Sequence, residues 1–183
     1  MAFWSDTIAT DPKRQHRWII QIGAVGLKDQ IAYICKKVNK PKMTVNPAEH
    51  KFLNHTFYYP GNVSYDPITV TMVDPANPHS TQALFNLIQD SGYRLPSQID
   101  DSVGAGSEMA STTSKRLGVG AMSSCVINQI DGNGAITEAI SLQNPWVSAV
   151  DYGGELSYDS DGLIEITMEI KFDWFEMDTF ITD

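Results

Sequence analysis

The chain has 183 residues, 42% hydrophobic, 19% charged and 10% aromatic, which suits one domain with a substantial core. No apolar run approaches the ~18 residues of a membrane span, and no charged start leads into an apolar stretch, so the sequence reads as soluble and unexported. The net charge of −9 is uneven: residues 1–60 carry nine Lys/Arg against four Asp/Glu, residues 61–120 three against six, and residues 121–183 one against twelve. Two readings fit that asymmetry: a basic and an acidic side through which copies attract head to tail, or a solvated surface with accidental clustering.

Residues 1–16 hold Phe3, Trp4 and Ile8 without a period and read as an N-terminal arm. Arg17–Gly23 alternates around Trp18, Ile20 and Ile22, and Gln30–Lys36 around Ile31, Tyr33 and Cys35, which predicts two strands joined by a turn near Gly26–Asp29. Lys36, Lys37, Lys40 and Lys42 follow, broken by Pro41; a contact with acidic protein surface explains them better than DNA phosphate in so acidic a chain. His50–Tyr59 reads as an aromatic-rich strand or hairpin arm ahead of a Pro60-Gly61 turn. Phe52 and Phe57 there suit a subunit interface or an ordinary core strand equally.

Asp66–Val73 is a clear strand, and Asn77-Pro78 opens a helix over 78–91 whose Ala83, Leu84, Leu87 and Ile88 form one stripe, stopped by Gly92. It is the one helix the pattern predicts. Residues 93–118 are Ser- and Gly-rich without a period and read as a long loop. Ala121–Ile130 and Ile136–Leu142 form a hairpin around Asp131-Gly132-Asn133-Gly134, with Ile136, Ile140 and Leu142 on one face and Thr137, Ala139 and Ser141 on the other. Asn144-Pro145-Trp146 ends it, and a short strand is expected at Glu155–Tyr158. The longest pattern is Leu163–Glu176, where Ile164, Ile166, Met168, Ile170, Phe172 and Trp174 share one parity: a strand of about 40 Å at ~3.3 Å per residue. Residues 177–183 form a C-terminal tail. Cys35 and Cys125, far apart in apolar surroundings, read as buried free thiols rather than a disulfide.

No chemistry emerges from this pattern. His16, His50, His55 and His79 show no metal-ligand spacing, no G-x-S-x-G elbow or P-loop occurs, and Gly118-Val119-Gly120 stands alone. Asp159-Ser160-Asp161-Gly162 resembles the start of a calcium loop, but Ile170 stands where the acidic twelfth position should be. Glu165 and Glu169 share a strand face about 13 Å apart, too far for a glycosidase pair. No enzyme, catalytic residue, metal or cofactor is expected.

NHTFYYPGNVSYDPITVTMVDP, ITEAISLQNPWVSAV and GELSYDSDGLIEITMEIKFDWFE, in that order and spacing, resemble the tail tube proteins of contractile-tailed, T4-type bacteriophages. The likeness covers residues 14–92 and 120–176. It implies a mainly β fold, two packed antiparallel sheets with one flanking helix, whose inner sheets join in a hexameric ring into one β-barrel tube. Rings stack head to tail as a conduit for DNA ejection. Roughly 24 strands tilted by ~45° would close a barrel about 50 Å across, with an opening of about 40 Å that admits a duplex. By the same likeness the inner wall comes from strands near residues 31–45, 50–60, 121–130 and 136–143, with Thr137, Ala139 and Ser141 facing the lumen and DNA passing without specific binding. Lys37, Lys40, Lys42, Phe52, Phe57, Tyr58 and Tyr59 would lie at contacts between subunits or rings. The C-terminal strand belongs to the outer sheet, with Glu165, Glu169 and Asp173 outward. Implied partners are further copies of the chain, the sheath, a baseplate or tube initiator and a tail terminator; the implied location is the virion tail, assembled in the host bacterial cytoplasm, with no membrane. A phage-derived injection system, a tube initiator, or a monomeric carbohydrate-binding sandwich using Tyr58 and Tyr59 are the alternatives.

Overall fold

The computed structural model describes residues 12–24, 26–27, 31–77, 79–98, 112–154, 156–159 and 161–180. Strand β1 (Trp18–Ile22) turns Ile20 and Ile22 inward. A single helical turn, α1 (Ile31–Ile34), then leads into β2 (Cys35–Val38). This corrects the strand expected over Gln30–Lys36. Ile31, Ile34 and Cys35, which reach the core, lie three and four residues apart, the helical interval, whereas Tyr33 is 91% exposed.

Strands β3 (Met43–Phe52) and β4 (His55–Tyr65) form a long hairpin. It reverses at Leu53-Asn54, where Leu53 adopts φ 51°. Pro60 and Gly61, expected to turn the chain, lie inside β4 instead. Between Val45↔Val63 and Pro47↔Pro60 the register advances two residues on β3 and three on β4, so β4 carries a bulge at Gly61-Asn62. A Cβ at Gly61 would stand 2.5 Å from the Asn46 carbonyl oxygen, which is why glycine sits there.

β5 (Ile68–Val73) alternates as expected, with Ile68, Val70 and Met72 buried. The helix expected over 78–91 is α2 (Ser80–Asp90), which buries Leu84 and Leu87 and is followed by Gly92 at φ 101°. Its cap differs from the expectation. Pro78 lies outside the described residues, His79 at the N-cap position makes no side-chain bond, and the Asp74 carboxylate accepts from the Thr81 N–H and hydroxyl instead. After a 3-10 turn at Pro96–Gln98, the middle of the expected 93–118 loop (99–111) lies outside the described residues, as does 1–11 of the arm. The end of that loop is helical: α3 (Lys115–Met122) starts where the Ser114 hydroxyl accepts the Leu117 N–H at 3.3 Å, and it takes the first two residues of the strand expected at Ala121.

β6 (Cys125–Ile130) and β7 (Ile136–Gln143) pair as expected, the Asp131 carboxylate accepting from the N–H groups of Asn133 and Ala135. Thr137 is an extra residue on β7, between Ile130↔Ile136 and Gln129↔Glu138; Ile136 is exposed, and the buried row is Glu138, Ile140 and Leu142. β8 (Trp146–Asp151) was not expected as a strand, while residues 156–158, where a strand was expected, form none. The long C-terminal strand divides into β9 (Glu165–Lys171) and β10 (Trp174–Thr179), so the tail expected from 177 is partly strand.

Two four-stranded antiparallel sheets result, β1-β6-β7-β10 and β2-β5-β9-β8, with the β3-β4 hairpin as a third, two-stranded element. Ile20, Ile127 and Ile140 of the first sheet and Val70, Met168 and Ile170 of the second meet in one core. The four strands expected to share an inner wall do not share one sheet: β2 lies in the second sheet, β6 and β7 in the first, and the hairpin in neither. β7 runs into β8, and β9 into β10, by crossing from one sheet to the other. Both crossings fall at one corner, where Asn144 has φ 53° and donates to Asp173 at 2.8 Å, and the Asp173 N–H donates to the Gln143 carbonyl at 3.0 Å. Lys115 also reaches Asp173, at 2.6 Å, and these hydrogen bonds hold its carboxyl below the ordinary range. Asp173 is therefore a corner anchor, not an outward charge of a single strand. Cys35 and Cys125 are free thiols; burial pushes Cys125 up to about 12 and Cys35 to about 11. No helix among the described residues is long and apolar enough to cross a membrane.

Candidate assembly surfaces

The β3-β4 hairpin buries almost nothing in its own subunit. Its strands of ten and eleven residues would reach about 30 Å at ~3.3 Å per residue. Phe52, Leu53, Phe57, Tyr58 and Tyr59 are exposed. An isolated two-stranded ribbon is marginal in water. Directly opposed residues share a face, so Phe57 with His50, Tyr59 with Ala48 and Phe52 with His55 make one face of the tip, and Tyr58 with Glu49 and Lys51 with Thr56 make the other. Of the residues expected at contacts, Phe52, Phe57 and Tyr59 are brought together, and Tyr58 is separated from them. At the hairpin base Tyr65 instead packs on Phe172 and Phe175 of its own subunit, with ring centroids 5.8 and 5.7 Å apart.

The basic cluster is largely neutralised inside the subunit. Lys36 pairs with Glu165, Lys40 with Glu138, and Lys42 with Asp66 at 2.9 Å; Lys37 has no partner among the described residues. Glu138 also receives Lys13 and keeps only 8% side-chain exposure. Burial pushes its pKa up, but the hydrogen bonds and charges of Lys13 and Lys40 outweigh this and hold it below the ordinary value. This triad was missed from sequence, because Lys13 and Lys40 stand 125 and 98 residues from Glu138.

The outward face of the first sheet carries Thr137, Ala139 and Ser141, which belong together as expected, although the Thr137 hydroxyl donates to the Gln129 carbonyl at 3.1 Å. Register adds Ile19 and Gln21 from β1, Val126 and the buried Asn128 from β6, and Glu176 and Asp178 from β10, opposite Ser141 and Ala139. None of the four strands contains Lys or Arg. Glu176 and Asp178 were placed by sequence on an outer strand and a tail; the break at Phe172-Asp173 moves them to this face. Among the described residues no group of His, Cys, Asp or Glu is placed to hold a metal ion.

Chains with a similar backbone path occur in solved assemblies. The chain superposes on a chain of the anti-feeding prophage baseplate at TM-score 0.65, with 10% identity over 93% of this chain and 97% of that one. It superposes at 0.60 on one from the sheath-tube complex of the PVC extracellular contractile injection system, with 12% identity over 92% and 93% of the two chains. A third match, from that system's sheath/tube terminator, gives 0.63 and 13% identity over 94% and 100%. The chain has the fold of tail tube proteins. No family model and no curated protein matches the sequence. The tube fold is thus shared in backbone path and hardly in side chains, so contact residues have to be derived from this chain's own surfaces.

Proposed function

We propose that the protein is a structural subunit of the inner tube of a contractile phage tail, stacking as hexameric rings into the conduit for DNA, with no catalytic step. The observation that carries this reading is the hairpin: two long strands with exposed apolar side chains on both faces bury little beyond their base in a monomer, and another copy packed on them would stabilise them. The first sheet's outward face supports a lumen role for Thr137, Ala139 and Ser141. The four strands of this face bring no Lys or Arg of their own, so they offer phosphates no counterion release that would make DNA stick. Sheath, baseplate or initiator, and terminator are the further partners, and assembly in the bacterial cytoplasm precedes incorporation into the virion.

The matches to baseplate and terminator structures favour a second reading of the same kind, a tube or tube initiator of a phage-derived injection system. The carbohydrate module is weakened, because Tyr58 and Tyr59 fall on opposite hairpin faces and cannot form one stacking platform. Negative-stain microscopy of the purified protein, alone and with tail extract, tests the proposal. Rings or tubes are expected; stable monomers under both conditions would overturn it.

A further inference from the structure

We infer that the tip half of the β3-β4 hairpin docks on the outer edge of β10 of a second copy, adding strands to the first sheet and pairing Lys51 with Glu176 or Asp178. The inference rests on the tube reading and names the surface that joins subunits.

A bare strand edge exposes a row of unpaired N–H and C=O groups, and folded proteins guard such edges. In the second sheet, α3 packs against β8, and β2 carries a bulge between Cys35 and Lys37 with Lys36 and Lys37 beside it. In the first, α1 packs beside β1. β10 has no bulge in its register with β7, no proline and no lysine, and no helix packs substantially on it. Among the described strands of the two sheets it is the edge guarded least, by the carboxylates of Glu176 and Asp178 alone.

Chemistry on both faces of that edge matches the hairpin tip. On the core side, Met177 lies opposite buried Ile140 yet is 50% exposed, so the apolar row continues past the end of its own sheet. Phe57, Tyr59 and Phe52 on one face of the tip supply the missing cover. On the outward side Glu176 and Asp178 meet no cation: Asp178 has no partner among the described residues, and Glu176 accepts only from the Trp174 indole at 3.5 Å. Lys51, on the tip's other face, also has no ion pair among them. Setting the aromatic face of the tip over Met177 brings Lys51 to the side of Glu176 and Asp178 without reversing either ribbon. Length agrees as well. Beyond the opposed Pro47 and Pro60, which donate no N–H, the tip offers five residues on each strand, Ala48–Phe52 and His55–Tyr59, against the six of β10.

Charge swaps test it, read as the concentration at which rings form by sedimentation and negative stain, with circular dichroism checking the fold. K51E alone, and E176K/D178K alone, are expected to raise that concentration at least about tenfold, and the combined variant to return most of it. In parallel, H50C/M177C is expected to give intermolecular disulfide-linked species on oxidation, separated from intramolecular products by gel mobility. K51E weakening assembly while E176K/D178K leaves it unchanged, with no H50C/M177C cross-link between copies, overturns β10 as the docking strand and leaves the tube intact. Wild-type protein that forms no rings overturns the tube reading itself, and this inference with it.

Discussion

The molecule contains two long antiparallel ribbons of similar build and opposite fate. One comprises β7-β8 paired with β10-β9; the other comprises β2-β3 paired with β5-β4. The first bends at the Asn144-Asp173 corner, crosses between sheets and buries side chains along both halves, with Ile140 and Leu142 before the corner and Met168 and Ile170 on the strand beside β8. The second buries Val70 and Met72 in one half and leaves the other bare. Regular strand pairing therefore says nothing by itself about where a ribbon's energy lies. A corner that folds the ribbon back turns it into core, and a ribbon that continues past the body leaves its apolar side chains exposed.

Substitutions in matched positions of the two ribbons should separate these roles. Met168→Ala in the bent ribbon is expected to cost about 2–5 kcal/mol of subunit stability by denaturant unfolding. The triple change Phe52, Phe57 and Tyr59 to Ser is expected to leave the unfolding free energy within about 0.5 kcal/mol of wild type and to abolish rings in negative stain. Comparable subunit destabilisation by both would erase the contrast. Next in size, Asp173→Ala removes bonds from Lys115 and Asn144 at the corner and should cost about 1–2 kcal/mol, whereas Lys42→Ala, an exposed pair at the hairpin base, should cost below about 1 kcal/mol.

The smallest effect is a pH dependence. Glu138 has a folded pKa below its unfolded value, so its contribution is fully present above the unfolded carboxylate value of about 4.3 and is lost as pH falls through the folded value. Thermal unfolding followed from about pH 5 to 3 should therefore fall more steeply for wild type than for Glu138→Gln. Parallel curves would mean that the Lys13–Glu138–Lys40 bridge does not stabilise the subunit. The same bridge alters what a charge reversal at Lys40 reports, because it strikes the subunit before any contact between rings.

Strands β5, β7 and β9 are readable in the sequence because one face of each meets the core and the other is more accessible, which prints a period of two. The Asp131–Gly134 turn is equally readable, since its backbone requirements are local. The bends are not. Phe172 and Trp174 continue the parity of Ile170, yet the chain changes sheets between them and Phe175 becomes the inward residue. Gly61 reads as half of a turn because its role depends on the Asn46 carbonyl across the ribbon. Among the candidate surfaces, the aromatic hairpin and the Thr137–Ser141 face are visible as composition. The pairing of Lys40, the cover over Glu138 and the arrival of Glu176 and Asp178 beside Ser141 and Ala139 depend on contacts distant in the chain.

The Glu138 bridge also has a consequence in time. Lys40 sits where the chain leaves the body for the hairpin, and its partner is made 98 residues later. Contacts of such separation carry a loop-closure cost, which slows the folding of chains rich in them. In a chain still being made, Lys40 and the whole hairpin precede Glu138, so this bridge joins the other contacts at the hairpin base only after β7 has been synthesised.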